Sequence, residues 1–281
     1  MKLGIFAKTF DRTGVDSCLQ AVADAGIPAT QFNLSVVGLP TIPQTPVPDP
    51  VIEQIRAASE RSGVALAAIS GTFNAAHPDP VHRQVQLDRF PYLCVATRDL
   101  QIPVITLSSG TRNPENMWRW HADNTTTQAW ADSRRTLQTL AGYAEEYHLT
   151  LAVEPEHSNV VATAAQALTM RQQVGSEALR FVYDAANLLD PDSFNATQAV
   201  EAITRDIDVL GPHIALGHAK ELIAGRASAA PGAGWLPWPL IVRRLHAAGF
   251  DGTLVTHGLP EADVPIAVTT LTAALATIGS A

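Results

Sequence analysis

The feature that most restricts the fold of this chain is an alternation of short apolar segments with longer amphipathic ones, which runs along the whole sequence. The apolar segments are rich in Val, Ile, Leu and Phe, and their length is typical of strands buried on both faces. Eight segments qualify: Lys2–Ala7, Ala29–Leu34, Ala65–Ser70, Val104–Ser108, Thr150–Glu154, Leu179–Asp184, Ile214–His218 and Thr253–His257. Strands that alternate with helices predict a parallel sheet.

The segments between these strands have helical spacing of their apolar residues, most clearly in Pro50–Ser62, Trp130–His148 and Pro239–Ala248. The 281 residues divided over eight strand–helix units give about 35 residues per unit. This length suits a closed barrel. We therefore predict one α/β domain over residues 1–281, folded as a single (β/α)8 TIM barrel with its active site at the C-terminal rim. A doubly wound open sheet is the main alternative. It would favour a glycine-rich phosphate loop after the first strand, where Phe6-Ala7-Lys8-Thr9-Phe10 has no glycine.

Charge and composition exclude several classes of protein. The net charge of −8 argues against a nucleic-acid partner, because a basic surface normally supplies that affinity. No apolar stretch approaches the roughly 18 residues of a membrane span, and no segment of signal-peptide type is evident. Two cysteines, Cys18 and Cys94, cannot build a disulfide framework. We expect a cytoplasmic protein without membrane or nucleic-acid partners.

Four side chains able to bind a metal stand at the ends of four successive strands: Glu154, Asp184, His218 and His257. A carboxylate at the end of a buried strand is costly unless it is paired or coordinated. Each group alone can be satisfied by backbone amides or an arginine, but all four in register favour a shared site for one divalent metal ion. The mixed oxygen and nitrogen donors suit Mn²⁺, Co²⁺, Zn²⁺ or Fe²⁺ better than Ca²⁺, and Mg²⁺ is a further candidate for the ion.

The residues around these positions resemble the xylose-isomerase-like TIM barrels, a superfamily of sugar and sugar-phosphate isomerases and epimerases, inosose dehydratases and the AP endonuclease family 2 (endonuclease IV) type. The resemblance spans essentially the whole chain and rests on four runs: Val153-Glu154-Pro155-Glu156, Tyr183-Asp184-Ala185-Ala186-Asn187, Gly217-His218-Ala219-Lys220-Glu221 and Phe250-Asp251-Gly252-Thr253-Leu254. It implies that Glu154, Asp184 and His218 are metal ligands, and that the protein can be a homo-oligomer.

The fourth ligand position departs from the family pattern, because His257 stands where the family usually has Glu. Histidine is also a competent ligand, so the metal prediction holds. The proton transfer between two metal-bound glutamates, which ketohexose epimerases use, is put in question. His257 is then either the fourth ligand or a free acid/base beside a metal with three protein ligands.

Glu156 and Lys220 lie close in sequence to the predicted ligands. Glu156 can serve as a general base or bind a sugar hydroxyl. Lys220 can stabilise an enediolate oxygen, or it can form a salt bridge at the rim with Glu221. Glu154, Glu156, Lys220 and His257 are therefore the predicted catalytic residues.

Polar and aromatic residues in the loops after the strands are candidates for substrate binding. Aromatic faces stack on the C–H surfaces of sugars, and an arginine would favour an anionic substrate. The alternative for the loop after strand four is that it packs its own aromatic residues at the surface, and Asn74 can instead cap a turn. The candidates are Asn74 and His77 after strand three, Arg112, Trp118 and His121 after strand four, and Asn187 after strand six.

The leading functional hypothesis is a divalent-metal-dependent isomerase or epimerase of a sugar, sugar phosphate or polyol. Proton abstraction next to a carbonyl would form an enediolate that the metal stabilises. The alternative is a metal-dependent dehydratase of inosose type on the same scaffold. An endonuclease-IV-like phosphodiesterase is less favoured, because the acidic chain lacks the many rim ligands of a zinc cluster. A non-catalytic sugar-binding barrel is a further, less favoured alternative.

Overall fold

The eight strands close into a parallel barrel in chain order in the computed structural model, which describes residues 1–189, 196–223 and 229–279. The barrel closes because β1 pairs with both β2 and β8. All eight predicted strands are confirmed, with ends within two residues of the prediction. Their bounds are β1 (Lys2–Phe6), β2 (Ala29–Phe32), β3 (Ala65–Ser70), β4 (Val104–Ser108), β5 (Thr150–Glu154), β6 (Leu179–Asp184), β7 (Ile214–Ala219) and β8 (Thr253–Thr256).

Helices follow the strands and pack on the outside of the barrel. They are α1 (Val15–Asp24), α2 (Asp49–Ser62), α3 (Pro80–Asp99), α4 (Thr127–Glu146), α5 (Ala164–Val174), the short α6 (Ala185–Leu188), α7 (Ala196–Leu210), α8 (Trp238–Ala247) and α9 (Val264–Ala276). The three predicted helices are confirmed, although α4 starts at Thr127 because the Thr126 side chain caps its first turn by accepting from Ala129 N. At the other end of α2, Gly63 takes the left-handed conformation that favours glycine after a helix.

The inside of the barrel is filled by small and branched apolar side chains, one from each of six strands: Ala68, Val104, Ala152, Val182, Leu216 and Val255. Successive side chains of a strand point to opposite faces, so the next inward position lies two residues further along. This places Glu154 above Ala152, Asp184 above Val182 and so on around the rim. The polar side chains at the rim therefore lie directly above this apolar layer.

The carboxylate of Glu221 holds the described part of the loop after β7. Its Oε1 accepts from Leu222 N at 3.0 Å and Leu236 N at 2.9 Å, and its Oε2 accepts from Gly232 N at 3.1 Å and Trp238 Nε1 at 3.0 Å. The side chain is fully buried. These four donors satisfy the buried carboxylate, so the role of Glu221 is a structural one.

Two further predictions from the sequence concern the cysteines and the membrane spans. Cys18 and Cys94 are both buried and free. No helix in the described part of the chain has the length and apolarity needed to cross a membrane.

Candidate metal centre and its cavity

The four predicted ligands meet at the C-terminal rim of the barrel. One donor atom from each of Glu154, Asp184, His218 and His257 lies within 4.8 Å of the donor atoms of the other three. Strand register explains part of this convergence, since Asp184 and His218 are direct partners across β6 and β7. His257 follows the last residue of β8 and completes the group.

Glu154 is held by two polar neighbours. Its Oε1 accepts from Asn187 Nδ2 at 2.6 Å and lies 3.1 Å from His218 Nδ1. Burial by itself raises the pKa of a carboxyl, but the contact with His218 and the charge of Lys220 outweigh burial and lower the pKa of Glu154. The side chain is therefore ionised at neutral pH and able to act as an anionic ligand.

Asp184 is fully buried at the end of β6. Its Oδ1 accepts from Ala186 N at 2.9 Å, which caps the short helix α6. Its Oδ2 lies 3.3 Å from Lys220 Nζ and 3.6 Å from His257 Nε2. Burial would raise the pKa of Asp184, but Lys220 and the two histidines hold it well below its usual range.

His257 is neutral at physiological pH. Burial first, and then the adjacent His218, lower the pKa of His257 to about 4. The rings of His218 and His257 lie with their centroids 4.2 Å apart. A neutral imidazole has a lone pair to offer a metal ion.

The donor set fits a divalent ion. Asp184 Oδ2 and His257 Nε2 are buried and form no hydrogen bond with the residues that the structure describes, although Asp184 Oδ2 is paired with the Lys220 ammonium at 3.3 Å. Buried polar atoms are normally satisfied, and a bound ion would satisfy His257 Nε2 while Asp184 Oδ2 is shared with Lys220. Two carboxylates and two imidazoles are ligands typical of Zn²⁺, Mn²⁺, Co²⁺ and related ions.

A cavity of about 360 Å³ opens beside this group. Its volume lies at the small end of the range for small-molecule sites. Side chains from both halves of the barrel form its wall, mostly polar with a few apolar ones. They are Phe6, Lys8, Gln31, Asn33, Thr41, Ser70, Thr72, Thr106, Leu107, Trp118, Glu154, Glu156, Asn187, His218, Lys220 and His257.

Glu156, Lys220 and Asn187 all line the cavity, as does Trp118, whose side chain is 58% exposed. Lys220 Nζ donates to Asn187 Oδ1 at 2.5 Å, in addition to its ion pair with Asp184. The alternative pairing of Lys220 with Glu221 is wrong, because backbone N–H groups and Trp238 take both carboxylate oxygens of Glu221.

Glu156 and Lys220 have pKa values shifted in the same direction for different reasons. Burial, and then the charge of Glu154, raise the pKa of Glu156. Burial lowers the pKa of Lys220, but Asp184, Glu154 and Glu156 outweigh it and raise that pKa. The cavity therefore combines a carboxyl with an elevated pKa and a cation that keeps its charge.

Two predicted substrate residues lie in an adjoining groove. The groove, of about 410 Å³, includes Asn74 and His77 and shares Thr41 and Thr72 with the main cavity. His77 stacks on His82 with ring centroids 4.1 Å apart. Asn74 is buried, and its Oδ1 accepts from Thr111 N at 2.8 Å, so it joins the loops after β3 and β4.

Arg112 and His121 are outside the residues that line these two cavities. The Arg112 guanidinium donates to Asp132 Oδ2 at 2.9 Å and to Ala76 O at 3.1 Å, a role in joining loops to α4. The Nδ1 of His121 accepts from Asp123 N at 3.2 Å at the start of a short 3₁₀ helix. Both side chains thus have local structural partners.

Sequence reasoning missed Gln31, whose Oε1 lies 2.8 Å from His218 Nε2. The predicted site residues at the strand ends were titratable ones, and glutamine carries no charge. A signal was present, because Gln31 stands near the end of β2 at an inward position of the barrel. Thr106 of β4, its other partner, was missed for the same reason.

The fold is an α/β barrel, and the site at its C-terminal rim is a group of four side chains able to bind a metal ion. The chain belongs to the xylose isomerase-like TIM barrel family, since the model of that family matches residues 19–274. This confirms the resemblance inferred from the sequence. A comparison with curated protein sequences finds no match.

Solved structures share the fold over the full chain. D-psicose 3-epimerase from Clostridium cellulolyticum H10, solved with D-tagatose, has a TM-score of 0.71 at 19% identity, covering 100% of this chain and 98% of that one. 3-Keto-D-glucoside 4-epimerase from E. coli has a TM-score of 0.73 at 16% identity, covering 100% of both chains. A xylose isomerase-like TIM barrel protein from Mycobacterium smegmatis in complex with magnesium has a TM-score of 0.73 at 12% identity, covering 99% and 96%.

Proposed function

We propose that this protein is a divalent-metal-dependent isomerase or epimerase of a sugar, a sugar phosphate or a keto-polyol such as an inosose, which removes a proton from a carbon next to a carbonyl. One observation carries the proposal. Four convergent ligands, within 4.8 Å of one another, adjoin a cavity that also holds Glu156 and Lys220. The epimerases among the structural neighbours agree with this class of reaction.

Glu154, Asp184, His218 and His257 are the residues that would hold the ion. A bound divalent ion would supply positive charge that stabilises the negative charge developing on the substrate oxygens. The protein residues perform the other tasks, namely binding, orientation and proton transfer.

Glu156 is the favoured general base. A base works best when its pKa is near the operating pH, and burial raises the pKa of Glu156 towards that range. Asn159 Nδ2 donates to Glu156 Oε2 at 3.0 Å, which orients the carboxylate. Glu154 has a lowered pKa and accepts hydrogen bonds on Oε1, so it is better suited to hold the ion.

Lys220 is the second charged group that can meet the substrate. It lines the cavity, and the surrounding carboxylates keep its ammonium protonated. An ammonium can donate to a substrate oxygen as negative charge builds on it. We assign it this stabilising role rather than that of a base.

The rest of the wall suits a small polyhydroxylated molecule. Asn33, Thr41, Ser70 and Thr72 provide amide and hydroxyl groups, and Trp118 provides an aromatic face. Sugars combine hydroxyl groups with apolar C–H faces, so this mixture of surfaces matches them.

The proposal is tested by solvent exchange. Metal-loaded protein in ²H₂O is mixed with a panel of ketoses, aldoses, their phosphates and inososes, and NMR follows deuterium at the carbons next to the carbonyl. We expect exchange with at least one substrate, a loss of about 10²-fold or more for Glu156→Gln, and an unchanged rate for Glu146→Gln on the exposed side of α4.

The products then identify the reaction. A changed configuration shows an epimerase, a moved carbonyl shows an isomerase, and loss of water shows a dehydratase, which begins with the same proton removal. Metal-loaded protein that promotes no exchange in any of these sugars contradicts the proposed function.

A further inference from the structure

Gln31 joins three strands inside the barrel through its amide group. Its Oε1 lies 2.8 Å from His218 Nε2, and its Nε2 donates to Thr106 Oγ1 at 3.0 Å. All three side chains are buried, with exposures of 5% for Gln31, 3% for Thr106 and 5% for His218. The contacts lie at the wall of the cavity, with little of each side chain exposed.

The two ring nitrogens of His218 face different groups. Nδ1 lies on the side of the metal-ligand cluster, 3.1 Å from Glu154 Oε1, and Nε2 lies on the side of Gln31. A neutral imidazole carries one proton, so either Nδ1 or Nε2 has the lone pair. Only the form with the proton on Nε2 offers a lone pair from Nδ1 on the side of Glu154.

When no ion is bound, Glu154 disfavours the form of His218 that carries its proton on Nε2. Its ionised carboxylate would accept a proton from His218 Nδ1, and such a charge-assisted hydrogen bond is stronger than a neutral one. The proton would then occupy the position from which His218 has to bind metal. A group on the Nε2 side of the ring is therefore needed to favour the form with the proton on Nε2.

The amide of Gln31 provides that preference. Because its NH₂ group donates to Thr106 Oγ1, its carbonyl oxygen faces His218 Nε2 and can only accept. We propose that Gln31 is a positioning residue of the metal centre: it accepts the Nε2–H of His218 and so directs the Nδ1 lone pair at the ion. A partner on the second ring nitrogen is a general means of orienting a histidine ligand.

The inference rests on the proposed metal site, but its first test needs no metal. Metal-free protein labelled with ¹⁵N-histidine is measured at about pH 8, where an ordinary imidazole is neutral. We expect the ¹⁵N shifts of His218, assigned by their absence in His218→Asn, to show a proton on Nε2. In Gln31→Met, which removes the acceptor at similar length, we expect the population to move to Nδ1–H.

The second test is metal affinity, measured by competition with a chelating dye for Mn²⁺, Co²⁺ and Zn²⁺. Gln31→Met should bind about 10- to 100-fold more weakly than the wild type. Gln31→Glu keeps an acceptor facing Nε2 and should restore most of this loss. Gln20→Met on the exposed surface of α1 is the matched control and should bind like the wild type.

Several results would overturn the inference. They are Nδ1–H in the metal-free wild type, an unchanged tautomer and affinity in Gln31→Met, or a Gln31→Glu variant as weak as Gln31→Met. The wild-type measurement decides the matter even if Gln31→Met does not fold. A wild type that shows Nε2–H but binds no divalent ion would instead contradict the proposed function.

Discussion

Asp184 Oδ2 and His257 Nε2 face each other 3.6 Å apart at the rim of the barrel. Within the described ranges neither atom has a hydrogen-bond partner. The carboxylate is ionised, and the neutral imidazole presents a lone pair from Nε2 in the form that carries its proton on Nδ1. Lys220 Nζ lies 3.3 Å from the Asp184 oxygen. A shared cation would satisfy both atoms at once, and the predictions about metal start from this pair.

Removing metal should destabilise the protein. A ligand that binds only the folded state adds about 2.7 kcal/mol at a concentration of 100 times Kd, which raises Tm by roughly 5 °C for a chain of this size. Differential scanning calorimetry of chelator-treated protein, with and without added Mn²⁺ or Zn²⁺, measures the shift. Asp184→Asn should show little shift, and an equal shift in that variant would place the stabilising ion elsewhere.

His257 should be a metal ligand. His257→Ala is then expected to weaken metal binding by at least about tenfold, whereas His257→Glu restores the usual ligand type of the family and should retain the ion. Metal affinity should also fall as pH drops, because protons compete for imidazole and carboxylate lone pairs. A titration that gives His257→Ala wild-type affinity would instead make His257 a free acid/base.

Glu221 should contribute strongly to stability. Glu221→Gln turns one acceptor oxygen into an NH₂ group that faces backbone or indole N–H donors, so about two charge-assisted hydrogen bonds are lost. We expect the free energy of unfolding in urea to fall by about 3 to 5 kcal/mol. Glu60→Gln on exposed α2 should change it by less than about 0.5 kcal/mol, and equal effects of the two variants would refute the anchoring role.

Asp206 on α7 should give a pH-dependent loss of stability. Burial raises its pKa, despite the opposing contact with Arg205. The folded state then binds the proton more tightly than the unfolded state, so stability falls as pH rises through the range between the unfolded pKa, about 3.9, and the higher folded one. Asp206→Asn should therefore be more stable than the wild type at pH 7 and lose this advantage below about pH 4.

Urea unfolding at several pH values tests this prediction. Asp208→Asn, an exposed change on the same helix, is the control and should show no comparable gain at neutral pH. An Asp206→Asn variant whose difference from the wild type is the same at every pH would contradict the assignment.

The sequence predicted the barrel and the convergence of the four ligand residues because both follow from simple periodicities. Buried parallel strands read as continuous apolar runs, and side chains at their carboxyl ends meet at one rim. Ala152 and Glu154 illustrate the rule, since the two-residue period turns both inwards. Chain order and strand length were sufficient for this part of the prediction.

The contacts of individual side chains could not be predicted in the same way. Arg112 forms an ion pair with Asp132, which lies 20 positions further along the chain, and nothing in the local sequence indicates that pairing. Gln31 contacts His218 across the barrel, although the two residues are 187 positions apart in the sequence. Such pairs depend on the closed geometry, so they become visible only in three dimensions.

The central claim is that Glu154, Asp184, His218 and His257 bind one divalent ion. Elemental analysis after loading with Mn²⁺, Co²⁺ or Zn²⁺ and gel filtration tests it most directly, using the wild type, Asp184→Asn and the surface control Asp208→Asn. Asp184→Asn keeps an oxygen to accept from Ala186 N, so the barrel should fold. We predict about one ion per chain in the wild type and in Asp208→Asn, and close to none in Asp184→Asn. A wild type without bound ion, or an Asp184→Asn variant that retains a full equivalent, would contradict the claim.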